Sequence, residues 1–300
     1  VKELLHESEL NALIHLLDDP DHEVYRHVTD KLISMGTSVI PTLENAWERA
    51  FDPILHSRLE NLIHAIQFET VVRDLKKWSS KKSPSLLEGM LIISRYQYPD
   101  QSSAKIKDDI ERLSDQISME MGYYLPPLEQ VNIFNHVLFS LNTFSGNTQN
   151  IHDPQNHFLK YVLETRKGNP ISLSILYLIL AERAKMPVYG VILPQHFVVS
   201  FHKDFLNESD SQAWIKNSIL FYINPFNKGI IFNRDDITIF LKKLQVTPVP
   251  GHYLPSGNRE ILTALLNSLM VSYELAGVQE KIAELHTLKS AIDADSSAIP

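Results

Sequence analysis

The chain has 300 residues, 44% of them apolar and 21% charged, with a formal net charge of −8. This length can bury a sizeable core in two or three structural units, and the composition is that of an ordinary globular protein. The acidic balance argues against a nucleic-acid binder, which would carry a basic face, and zero cysteines exclude disulfides, Cys-ligated zinc and a thiol nucleophile. No apolar run approaches a membrane span and no secretory signal follows Val1, so the expected location is the cytoplasm, with no membrane partner.

Residues 1–80 read as helical throughout. Leu10, Leu13, Ile14 and Leu17 share one helix face. "DDPD" stops that helix and starts another, Met35-Gly36 ends the second, and Pro41 opens the third. Asp19-Pro20 recurs as Asp52-Pro53 with a similar helix behind it, so the stretch resembles a HEAT-like repeat; a plain antiparallel helical cap is the alternative. "SSKKSPS" at 79–85 is polar and Pro-broken and is the expected linker. Three helical patterns follow, of which the middle one has a single stripe of Ile106, Ile110, Leu113 and Ile117 under a charged back.

From 142 to 247 the period changes. "FSGNTQNIHDPQN" is a loop and "HFLKYVLETRK" a short helix. Asn169 is the expected N-cap and Pro170 the first residue of a helix that is apolar nearly all round, hence buried. "VYGVILPQHFVVSF", "AWIKNS" and "LFYINPF" read as short strands, the last two as a hairpin, which makes this an α+β core. Alternation places His196 with Val198 and Ser200 on one face, and Phe197 with Val199 on the other. Residues 250–300 contain two amphipathic helices meeting at Gly277, a tetratricopeptide-like hairpin expected to dock on the core through Leu262, Leu266 and Leu269; "DADSSAIP" is expected to fray.

The segment "DPQNHFLKYVLETRKGNPISLSILYLILAERAKMPVYGVILPQHFVVSF", with "INPFNKG" and "YLPSGNREILTALLNSLMVSY", resembles the SirB-type transglutaminase-like family, whose core an F-box-only protein of animals also carries. The resemblance runs from about Leu86 to Leu288. It implies a predominantly helical α+β fold: a papain-like core with a small antiparallel sheet, flanked by helical repeat-like segments. The organisation it suggests is 1–80 HEAT-like, 81–249 helical lead-in and transglutaminase-like core, and 250–300 tetratricopeptide-like hairpin and tail. It defines architecture more closely than activity.

Transglutaminase-like enzymes place a Cys at the start of the central helix, a His on a neighbouring strand and an Asp or Asn to orient that His. By this resemblance Pro170 stands at the position of the lost nucleophile, His196 matches the His, and Asn224 stands where Asp is more usual. Ser172 and Ser174 are the alternative nucleophiles on the same helix. Positions on a helix differ by about 100°, so Ser172 points roughly 200° away from position 170; Ser174 returns to within about 40° but lies about 6 Å deeper. Neither is expected to reach His196, which is expected to bond Asn224 or nearby backbone. Arg166 is a candidate anion-binding residue before the helix, or the partner of Glu164 or Glu182. Gln195, where the family has Gly, and Asn227 complete the candidate binding residues. The two His of "HDPQNH" lack a third ligand and read as a turn, so no metal is expected, and no cofactor is implied.

The sequence therefore points to a catalytically degenerate transglutaminase-like protein that works as a protein-binding or scaffolding module. Alternatives are an amide hydrolase or acyltransferase using Ser172 or Ser174 with His196 and Asn224, and a regulatory subunit whose acidic face meets a basic partner. A protein or peptide is the expected partner; no oligomeric state is assigned.

Overall fold

Short polar side chains set several of the helix starts in this chain. The computed structural model describes residues 2–122, 125–207 and 209–293. After α1 (Lys2–His15), Asp21 caps α2 (His22–Met35) by accepting the Glu23 N–H at 2.8 Å, and Gly36 closes that helix at φ +71°. α3 (Ile40–Arg49) carries Pro41 in its first turn. Asp52 caps α4 (Pro53–Ser79) through the N–H groups of Ile54 and Leu55. The two Asp-Pro pairs are thus not equivalent: Asp52 is itself a cap, whereas Asp19 and Pro20 precede the cap at Asp21. Leu17, Leu32, Leu43, Leu59, Leu62 and Ile66 form one apolar cluster.

α4 is 27 residues long, and its second half joins another cluster through Val71, Leu75 and Trp78. One continuous helix therefore serves two cores. The turn at 79–85, expected as a linker, is tied down. Arg259 donates to the carbonyls of Ser79 (2.7 Å) and Lys81, Asn258 to Pro84 (3.0 Å), and the Trp78 indole to Ser85 (2.7 Å). α5 (Leu86–Gln97) and α6 (Ser103–Glu120) follow, the latter burying Ile106, Ile110, Leu113 and Ile117 along its stripe. α7 (Pro127–Asn135) runs into a π-helical turn at His136–Leu141.

The core proper opens with β1 (Ser145–Gly146). It pairs in parallel with β2 (Lys167–Gly168), with α8 (Leu159–Thr165) between them in the chain. α9 (Pro170–Arg183) buries every residue from Ile171 to Ala181. Beside it lies an antiparallel sheet of β3 (Val188–Leu193), β4 (His196–His202), β5 (Ile219–Asn224) and β6 (Ile230–Phe232), in that order. Phe197, Val199, Phe201 and Ile223 join the cluster around α9, while Val191, Leu193, Val198 and Tyr222 pack with Ile237 and Leu241 of α11 (Arg234–Lys243).

One expected strand is a helix. "AWIKNS" lies within α10 (Gln212–Ser218), capped by Ser211 Oγ on the Trp214 N–H at 3.2 Å, and the hairpin is β5–β6 instead. Seven residues span two turns, too few for the 3.6 period to stand out from a strand's alternation. α12 (Asn258–Leu275) and α13 (Gln279–Asp293) complete the chain, with Leu262, Leu266 and Leu269 fully buried. Gly257 is the N-cap of α12, and Glu260 reaches back to its N–H at 2.7 Å. Of "DADSSAIP", expected to fray, Asp293 ends α13 and 294–300 lie outside the described residues. The fold is α+β and predominantly helical; among the described residues no helix is long and apolar enough to cross a membrane.

Two buried histidines tie this frame together. His157 donates from Nδ1 to Pro154 O at 3.1 Å and meets Ser268 Oγ of α12 at 2.9 Å through Nε2. His202 lies between Ser200 Oγ and Ser218 Oγ, each at 2.9 Å. Burial pushes both imidazoles down to about 4.

The tied turn predicts that trypsin cuts slowly at Lys81. Arg259→Ala, which frees the Ser79 and Lys81 carbonyls, should expose that site while leaving helical circular dichroism unchanged. Acid should also destabilise the fold. Both histidines hold fewer protons folded than unfolded between pH 6.5 and 4, so stability falls as pH drops through that window. Each histidine contributes a loss of about 1.4 kcal/mol per pH unit. Urea denaturation at stepped pH measures the slope, and His202→Gln should reduce it by that amount.

Candidate functional site

The start of α9 is built by a reciprocal cap. Asn169 Oδ1 accepts the Ser172 N–H at 2.9 Å, and Ser172 Oγ accepts the Asn169 N–H at 3.1 Å. Pro170 takes the first helical position, where no N–H is needed, and is half-buried. Ser172 and Ser174 are both 0% exposed. Ser172 Oγ also donates to Asn169 O at 3.3 Å, and Ser174 Oγ donates to Phe197 O at 3.3 Å. Among the described residues neither hydroxyl is hydrogen-bonded to His196.

His196 opens β4 after a two-residue turn. Pro194 fills the first corner and Gln195 the second at φ +58°, the left-handed conformation that a type II turn reserves for glycine. A glutamine there bears a steric cost of about 1 kcal/mol. Gln195 and Asn227 are exposed; His196 and Asn224 are half-buried. The imidazole centroid lies 5.8 Å from the ring of Phe240 on α11 and 6.5 Å from that of Phe226.

Asn224 ends β5, and its Nδ2 meets His196 Nε2 at 3.1 Å. The amide orientation follows from its other end. Asn224 Oδ1 accepts the Asn227 N–H at 3.3 Å, capping the short 3-10 turn Pro225–Asn227, so the NH2 group faces the ring. Nε2 is then the acceptor, and the neutral ring carries its proton on Nδ1. Burial holds the imidazole below its ordinary value, which favours the neutral ring. With the orienting residue on Nε2, as here, a base would need the reverse arrangement: a proton on Nε2 given to that residue and a free Nδ1 facing the nucleophile.

Arg166 follows a different course from the expected ion pair. It ends α8 at φ +59° and places its guanidinium 4.6 Å from the Phe144 ring centroid. Nη1 is buried with no hydrogen-bond partner among the described residues. Glu164 is taken by Lys160 (2.8 Å) and Lys105 (3.4 Å), and Glu182 sits at the far end of α9, about 20 Å along its axis.

Sequence reasoning passed over Asn135, the last residue of α7. Its Nδ2 donates to Gly229 O at 2.9 Å, and Tyr177 Oη of α9 donates to its Oδ1 at 3.2 Å. Gly229 N in turn donates to Asn224 O at 2.9 Å. A hydrogen-bonded chain thus runs from the central helix to the backbone of the residue that holds His196. Its signals were an Asn within the apolar run "VNIFNHVLF" and the Gly of "FNKG", which takes φ +74° and would drive a Cβ to 2.2 Å from Asn135 Oδ1.

Cavities of about 210 Å³ and 340 Å³ lie elsewhere, and neither is lined by Pro170, His196 or Asn224. Among the described residues no three His, Asp or Glu side chains converge on a metal position.

Comparison with known proteins places this geometry in context. A "UPF0162 protein" of Xylella fastidiosa strain 9a5c is 28% identical over 198 residues, covering 63% of this chain and 64% of that relative. "UPF0162 protein YchA" of Escherichia coli K12 is 25% identical over 205 residues, 67% of this chain and 71% of the relative. "F-box only protein 21" of Mus musculus is 30% identical over 99 residues, a third of this chain but 15% of that protein. The chain spans less than two-thirds of the length of the Xylella relative, and no solved structure matches. A family model of the transglutaminase-like superfamily matches residues 104–267, which contain α9, the His196 strand and Asn224: the chain belongs to the transglutaminase-like superfamily.

Proposed function

We propose that this chain is a catalytically silent transglutaminase-like module of the SirB type that binds a protein or peptide partner in the cytoplasm. One observation carries the reading. The serines able to stand in for the missing thiol are fully buried, and their hydroxyls are committed to backbone groups. A serine nucleophile needs a base in hydrogen-bond reach and an exposed position facing the substrate. Ser172 and Ser174 have neither, and the His196 tautomer is the wrong one for a base.

Binding by the flanks belongs to the same proposal: a HEAT-like 1–80 segment and a tetratricopeptide-like 250–300 hairpin around the 81–249 core. The separate apolar cluster from Leu10 to Ile66 supports the first, and the α12–α13 hairpin meeting at Gly277 supports the second. Helical surfaces of this kind present grooves to partner segments.

A fluorophosphonate probe followed by peptide mass spectrometry should leave Ser172 and Ser174 unmodified, and amide hydrolysis and transamidation should stay at buffer rates. A covalent adduct on either serine would overturn the reading. Ser172→Ala should act on stability, costing about 1 kcal/mol through the buried Asn169 N–H it leaves unpaired.

A further inference from the structure

At the end of α9 remote from its cap, the helix, β3 and the start of α12 enclose the cavity of about 210 Å³. Leu178, Met186, Val188, Ile261 and Leu86 give it buried apolar walls. Gly190 adds backbone only, and its carbonyl is already taken by the Ser256 N–H at 2.8 Å. Glu182, in the last turn of α9, is the one charged residue lining the cavity among the described residues. It is exposed, and among the described residues its carboxylate has no hydrogen-bond or ion-pair partner.

The space is below the roughly 300–1,000 Å³ of pockets for cofactor-sized ligands, so it suits a single side chain. Tyr189, Phe205, Ser256 and Asn258 complete the lining, with Tyr189 Oη accepting the Leu206 N–H at 2.8 Å and Asn258 Nδ2 donating to Pro84 O at 3.0 Å. Largely apolar walls with one solvated carboxylate match an alkyl stem that ends in a cation. We propose that this pocket receives a lysine side chain from a partner polypeptide, with the methylene stem on Leu178, Met186 and Ile261 and the ammonium on Glu182. Lysine fits better than arginine because its four-carbon stem is apolar throughout and its head is a compact charge, whereas guanidinium uses a planar fork of acceptors. The net charge of −8 favours approach of a basic segment. Neither His196 nor Asn224 lines this pocket, so the inference stands or falls apart from the reading of that site.

The full chain with 13C-methyl methionine tests it, since Met186, assigned with Met186→Leu, reports from the wall. Acetyl-Ala-Ala-Lys-Ala-Ala-amide should shift the Met186 methyl saturably. The same peptide with Nε-acetyl-lysine should bind roughly fivefold more weakly, the scale of one solvated ion pair. Glu182→Gln, at an exposed position, should abolish that difference. Equal binding of the two peptides by the unaltered chain would overturn the proposal without recourse to any variant. So would tighter binding of the arginine peptide, or no Met186 shift at millimolar peptide.

Discussion

Protein surrounds α9 on every side from Ile171 to Ala181, and this burial governs what the core can do. A helix enclosed in this way offers solvent only its first position and its last turn. The first position is Pro170, whose ring satisfies the helix start and carries no reactive atom. A neighbouring residue cannot take over, because each step along the helix turns the side chain by about 100° into the core. Ser172 is absorbed by the reciprocal cap with Asn169 and Ser174 by the Phe197 carbonyl. On the proposed reading, neither serine of the helix takes the place of a thiol.

The His196–Asn224 pair has the outline of a catalytic pair with its polarity inverted. An aspartate at 224 would offer only acceptors, obliging Nε2 to donate and leaving Nδ1 free for a nucleophile's proton. Asn224 gives its carbonyl to the Asn227 N–H, and its NH2 group faces the ring. The same residue is fixed through its backbone by Gly229, and Gly229 by Asn135 and Tyr177. Hydrogen bonds that would orient a catalytic base here join β5, the following turn, α7 and α9.

Much of this was legible in residue order where one strong local rule applied. Asn169-Pro170 marked the start of α9, the stripe of Ile106, Ile110, Leu113 and Ile117 marked the buried face of α6, and alternation assigned the two faces of β4. Reading failed where long-range partners decide. Nothing in "SSKKSPS" announces that Arg259 and Asn258, well over a hundred residues later, hold its carbonyls. The continuity of α4 across two cores is likewise invisible, because its apolar residues satisfy one helical period whichever cluster they join. Arg166 seemed to call for a carboxylate, but nearer lysines occupy Glu164, and an aromatic ring meets the guanidinium. Within the site, His196 and Asn224 were legible as a pair, whereas the amide orientation that decides their chemistry depends on the Asn227 N–H.

The central claim is that His196 is held in the tautomer that cannot serve as a base, and long-range 15N–1H correlation of the imidazole nitrogens at pH 7 reads it directly. The account predicts a neutral ring with its proton on Nδ1 and an unprotonated Nε2 facing Asn224. A proton on Nε2 with Nδ1 free, or a charged ring at that pH, would contradict it.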